Sequence, residues 1–138
     1  MNEIKFKQFV IVPKRPKMSK GKIASQVSHS TFMALENQKE VHNTTLHKHK
    51  PDCHCEDCKW NNIELWKNEG MCVIVLECPT QQELFGIAEY CKQWKIPHHL
   101  YIDEGITEIP MGTATAFATG VLSEEFHWMF SQLKLFKG

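Results

Sequence analysis

The stretch Met71-Cys-Val-Ile-Val-Leu-Glu-Cys-Pro-Thr-Gln-Gln-Glu83 decides the fold class. Residues 72–78 make the continuous run expected of a strand buried on both faces, which requires a sheet covered by helices on each side. Pro79 ends the run, and Thr80-Gln-Gln-Glu83 is a capping box that starts a helix at once. Leu84, Ile87, Ala88 and Cys91 then line one helical face. A buried strand leading directly into an amphipathic helix is a βα unit, and the same alternation extends in both directions. Upstream, residues 6–12 form a short β-branched and aromatic strand that ends at Pro13, and Pro13 and Pro16 make an extended crossing. Ser19 caps a helix whose apolar stripe is Ile23, Val27, Thr31 and Ala34. Downstream, His98–Ile102 and residues 115–119 read as two more strands, separated by a turn-rich link through Gly105 and Pro110-Met-Gly112. Ser123-Glu-Glu opens a last helix with Phe126, Phe130 and Leu133 on its apolar side. The class is α/β, one small four-stranded sheet covered by helices.

At 138 residues and a formal charge of +0, with 16 Lys+Arg against 16 Asp+Glu, the chain fits a single domain over residues 1–138 and excludes an all-over polyelectrolyte binder. Its longest clean apolar run, residues 71–76, is far too short to span a membrane. The first eight residues carry no signal-peptide core, so a soluble cytoplasmic protein with reduced or metal-bound cysteines is expected. The neutral average hides an asymmetry. Lys5, Lys7, Lys14, Arg15, Lys17, Lys20 and Lys22 crowd the first 22 positions, where Glu3 is the only acid. Such a patch either meets phosphates or keeps the entry segment solvated. Arg15 is the only arginine, so lysine ammoniums and backbone N–H groups would carry phosphate contacts.

Lys22, Gln26 and His29 sit at i, i+4 and i+7, on one side of the first helix and beside its apolar stripe. The loop Lys17-Met-Ser-Lys-Gly-Lys22 brings ammoniums and a helix N-terminus together, a polyanion site by its chemistry. A solvated helix face has the same spacing.

These residues also carry a resemblance. Lys17-Met-Ser-Lys-Gly-Lys-Ile-Ala-Ser-Gln-Val-Ser-His29 resembles the first signature of the archaeal/eukaryotic-type peptidyl-tRNA hydrolases (Pth2), and Asp103-Glu-Gly-Ile-Thr-Glu-Ile-Pro-Met-Gly-Thr-Ala-Thr115 resembles their second. The order of elements agrees as well, outside residues 42–66. The resemblance implies a four-stranded mixed sheet with helices on both faces, a homodimer, and hydrolysis of the ester that joins a peptide to the 3′ end of tRNA. It places the family's functional positions on Lys22, Gln26, His29, Asp103, Thr107 and Thr113, with Thr115 beside them. Ester hydrolysis needs an activated water and donors for the developing oxyanion. Asp103 can orient or deprotonate water, and Lys22 can hold that carboxylate and polarise the carbonyl. Gln26, Thr107 and Thr113 can bond the ribose and terminal base, while Lys17, Lys20 and Lys22, with Thr115, face the RNA. His29 fits either a site role or a structural one. Neither signature pairs a serine or cysteine with a base, so no covalent nucleophile and no catalytic cofactor are expected. Pro13-Lys-Arg-Pro16 lacks an acid that many members have there, and Ile106-Thr-Glu108 replaces an Arg-Thr-Gln, which weakens anion binding. A divergent, non-catalytic RNA- or protein-binding paralogue on the same scaffold is therefore the second reading.

Between residues 42 and 66 the hydrophobic period disappears, and the segment reads as an insertion. His47-Lys-His49 precedes Cys53-His-Cys55-Glu-Asp-Cys58. Cys53, Cys55 and Cys58 with one histidine, His47, suit a tetrahedral structural zinc, and a reduced loop is the plain alternative. Cys72, Cys78 and Cys91 lie on apolar positions and read as core thiols. Trp60 and Trp66 flank the exit of the insertion, where packing is their expected role.

Overall fold

The computed structural model describes residues 3–43, 62–105 and 109–138. Its elements run β1 (Phe6–Arg15), α1 (Lys20–Asn43), α2 (Ile63–Asn68), β2 (Val73–Thr80), α3 (Gln81–Gln93), β3 (His98–Ile102), β4 (Ala114–Ser123), a 3-10 helix (Glu124–Phe130) and β5 (Lys134–Leu135). The sheet is mixed, in the order β3-β4-β1-β2-β5. β1 and β2 are parallel, whereas β1–β4, β3–β4 and β2–β5 are antiparallel. The α/β class holds, but the strand count is five, not four. β5 is only two residues, paired with Leu76 and Glu77, too short to leave a periodic signal.

Side chains alternate across β1 and divide the core in two. Phe9 and Ile11 join Leu84, Cys91 and Phe117 on the α3 side. Val10 and Val12 join Met18, Ala34 and Ala118 on the α1 side. Cys78 and Cys91 are buried, as read from the sequence, and burial pushes each thiol up to about 12. Cys72 is only half-buried.

Several boundaries move for identifiable reasons. β1 continues through Pro13 to Arg15, because β4 pairs with it only as far as Ile11. Beyond that point one edge of β1 is unpaired among the described residues, and a residue without an N–H is tolerated. β2 likewise passes Pro79 and ends on Thr80, which is also the N-cap of α3. The capping box is formed: the Thr80 N–H donates to Glu83 Oε2 at 2.9 Å, and the Gln82 N–H donates to Thr80 Oγ1 at 3.3 Å. The last helix is a 3-10 turn, whose three-residue period eclipses side chains at i and i+3. His127 and Phe130 both land on Phe9, with ring centroids 5.3 and 4.9 Å away. α2 starts inside the segment read as an insertion and runs two residues past its end. It buries Trp66, whose Nε1 donates to the Cys72 carbonyl at 2.8 Å.

The expected stripe of α1 faces the core, with a fully buried polar row beside it. Ile23 and Val27 are half-buried and pack with buried Ala34 against the α1-side core, and Thr31 is half-buried; the fully buried row is Gln26, Ser30, Ala34 and Gln38. The helix faces Ala116, Ala118 and Gly120 of β4, where small residues let it come close enough for amides to reach the strand backbone. Gln38 accepts from the Val121 N–H at 2.8 Å and donates to the Val121 carbonyl at 3.1 Å. Buried amides paired in this way carry no desolvation penalty left unmet.

Candidate active site

β3 ends at Ile102, and the chain returns to β4 through a turn closed at its base. The Asp103 N–H donates to the Thr113 carbonyl at 2.8 Å, and the Gly112 N–H to the Asp103 carbonyl at 2.9 Å. Gly105 has φ +76, and a Cβ there would lie 2.7 Å from the Met111 backbone, so only glycine fits. The Gly105 N–H points back to Asp103 Oδ2 at 2.7 Å. From the other side Gln81, the first residue of α3, accepts from the Ala114 N–H at 2.9 Å. Pairing then skips a residue: Tyr101 faces Ala116 and Ile102 faces Ala114, leaving Thr115 as a bulge. The bulge re-aims the Thr115 hydroxyl at α1.

On α1 the Ser19 hydroxyl accepts from the Lys22 N–H at 3.2 Å, the cap read from the sequence. In the first turn of the helix, Lys22 Nζ reaches Asp103 Oδ1 at 2.6 Å, with 10% and 7% of the two side chains exposed. Gln26 Nε2 donates to the same oxygen at 3.0 Å and to Thr115 Oγ1 at 2.7 Å. Helix and turn, 81 residues apart in sequence at Lys22 and Asp103, thus meet in one hydrogen-bonded unit.

The electrostatics follow from those partners. The Lys22 hydrogen bond above all holds the Asp103 carboxyl below the usual carboxylate range; burial opposes this, and the Gly105 N–H, the Lys22 charge and Gln26 reinforce it. An anion held below its usual range is a weaker proton acceptor, which favours orienting a water over deprotonating it. A carboxylate has about four acceptor positions. Two on Oδ1 and one on Oδ2 are taken among the described residues, and a water can use the fourth. The Lys22 ammonium, fixed at the rim of a partly dry site, can stabilise negative charge developing on a carbonyl oxygen.

The remaining expected residues are distributed as follows. His29 lies outside this unit: it is exposed, its ring stacks on Tyr101 at 4.8 Å, and Nε2 meets the Ser25 hydroxyl at 3.2 Å. The Thr113 hydroxyl donates to the Pro110 carbonyl at 2.8 Å and so holds the turn. Thr115 is fully buried and reaches the site through Gln26, with no surface to offer RNA. Lys17 and Lys20 are exposed at the start of α1, whose first turn has no acid. Thr107 and the ligand set Cys53, Cys55, Cys58 and His47 lie outside the described residues. Sequence reasoning passed over Gln81 and Tyr101. A polar residue at a helix start and an aromatic one in a strand are ordinary locally, and only the neighbours that the fold brings give them a role.

A family model described as peptidyl-tRNA hydrolase PTH2 matches residues 6–136. A peptidyl-tRNA hydrolase of Thermococcus onnurineus is 35% identical over 122 residues, 88% of this chain and 88% of the relative. One of Thermococcus sibiricus is 36% identical over 121 residues, again 88% of each chain. A probable peptidyl-tRNA hydrolase 2 of Dictyostelium discoideum is 27% identical over 123 residues, 86% of this chain but 49% of its own length.

Proposed function

The chain belongs to the peptidyl-tRNA hydrolase PTH2 family, and from that membership we propose that the Lys22–Asp103 pair carries its reaction. The activity is hydrolysis of the ester between a peptide, or an N-blocked amino acid, and the 3′ end of tRNA. Asp103 orients the attacking water through Oδ2. Lys22 stabilises the oxyanion as the water oxygen bonds to the carbonyl carbon. The carbon–oxygen ester bond then breaks, one water proton ends on the ribose oxygen, and the products are a free peptide and a reusable tRNA. Gln26 positions Asp103. Lys17 and Lys20 meet phosphates at a helix N-terminus that has no acid of its own. No cofactor takes part in this scheme. The sharing of Asp103 Oδ1 by Lys22 at 2.6 Å and Gln26 at 3.0 Å carries the proposal.

The test is release of the blocked amino acid from N-acetyl-aminoacyl-tRNA. Lys22→Ala and Asp103→Asn should each lower kcat/KM by about 10²–10³-fold, the usual loss when one preorganised electrostatic partner is removed. EDTA should leave wild-type turnover unchanged. A folded, tRNA-binding protein without turnover would overturn the proposal and favour a binding role. A structural zinc on Cys53, Cys55, Cys58 and His47 is proposed on ligand spacing alone. A homodimer and a cytoplasmic setting are proposed alongside it. Among the described residues no helix is long and apolar enough to cross a membrane.

A further inference from the structure

The ester carbon joins two chemically unlike arms, the polyanionic tRNA end and the acyl chain, and the surface around Asp103 is divided in the same way. On the N-terminal side of α1 lie Lys17 and Lys20, both exposed, with Lys22 at the site itself. In the other direction, α1 has no acid, lysine or arginine between Lys22 and Glu36, and β3 has none at all. The seam between these two elements offers ring surface instead. His29 stacks on Tyr101 with an interplanar angle of 23°, and His99 packs beside Tyr101 at 6.3 Å. Phe32, on the same helix face three residues beyond His29, is 61% exposed, and Met33 and Ile102 are exposed as well. The seam has no lysine or arginine to neutralise a phosphate, and a large exposed aromatic on the helix that leads away from the reaction centre is a surface to be covered.

We infer that the α1–β3 seam, with Tyr101 and Phe32 as its shelf, receives the peptidyl part of the substrate; the inference rests on the hydrolase reading above. Charge complementarity sets the direction: the phosphates follow the lysines, and the acyl chain leaves Asp103 the opposite way. Length sets the extent. From Gln26 to Glu36 the helix advances about 15 Å at 1.5 Å per residue, the reach of about four extended residues. Flat ring surfaces hold chains of varied sequence by contact area, which suits an enzyme that meets many different peptides.

The experiment compares kcat/KM on N-acetyl-alanyl-tRNA with that on a tRNA carrying an N-acetylated tetrapeptide of apolar residues. The wild type should prefer the tetrapeptide. Tyr101→Ala and Phe32→Ser should each reduce that preference by about 3–10-fold, the range of an aromatic contact. Turnover of the short substrate and affinity for deacylated tRNA should stay within about twofold of wild type on the same scale. Tyr101→Phe, which keeps the ring, should retain the preference even if Tyr101→Ala folds poorly. Equal loss on both substrates, or loss of affinity for deacylated tRNA, would overturn the inference. So would a shift from dimer to monomer with the preference intact, because the shelf would then belong to a second copy of the chain. A wild type inactive on both substrates would fail the hydrolase reading itself, an outcome distinct from an active enzyme without the preference.

Discussion

Asp103 shows how one residue is set by its partners. Its folded-state pKa is held below the unfolded value, chiefly by the Lys22 hydrogen bond, the unfolded value being about 3.9. The stability it contributes is therefore present above about pH 4 and is lost as pH falls through the folded pKa. The catalytic form follows the same window. The kcat/KM profile of the wild type should show no acidic limb from Asp103 above about pH 4.5. In Lys22→Gln, where the main cause of the shift is gone, the limb should move upward. Rates on N-acetyl-aminoacyl-tRNA between pH 4 and 7 read both profiles; coincident limbs would mean that Lys22 does not control the carboxylate.

At the scale of elements, α1 and β4 are joined by polar groups as well as by the apolar stripe that packs Ala34 with Ala118. Gly120 makes this possible: a Cβ there would lie 2.5 Å from Gln38 Oε1 and 3.2 Å from Pro97 Cβ. The Gln38 amide has little room to retreat, since it is buried and already bonds both backbone groups of Val121. Gly120→Ala should therefore destabilise the fold by about 1–3 kcal/mol, through overpacking or a lost buried hydrogen bond. Urea unfolding should show a lower midpoint with an unchanged slope, while an unchanged midpoint would mean that the helix shifts freely. The same close packing explains why the sequence reading found the apolar stripe but not the polar row buried more deeply beside it. Periodicity records which residues are apolar, and here the facing strand selects amides.

At the scale of the whole molecule, two imidazoles among the described residues have lowered pKa values, both chiefly by burial: His99, with the His98 charge adding to the effect, and His127 of the 3-10 helix. Above about pH 6.5 both are neutral in the folded and unfolded states. Below it the unfolded chain takes up protons that the folded chain resists, so stability falls as pH drops. The urea midpoint should be lower at pH 5.5 than at pH 7.5, and His127→Asn should flatten the difference. An equal or higher midpoint at pH 5.5 would contradict this account. Asp103 does not interfere, because its own loss lies at more acid pH.

What the sequence determined by itself is whatever depends on near neighbours. The capping box at Thr80, the Ser19 cap, the bounds of His98–Ile102 and the α/β class all arise from residues within a turn or two of each other. It also supplied, through the resemblance of its two signatures, Lys22, Gln26 and Asp103 as a group. The tertiary structure decided the rest. It added the two-residue β5, buried Gln26, Ser30 and Gln38 beside the apolar stripe of α1, and turned Thr115 inward through a bulge. It separated His29 from the other two helix residues and gave it to Tyr101. Each of these depends on which backbone atoms come within about 3 Å across a sheet or a helix face, and that distance is set only when the sheet closes.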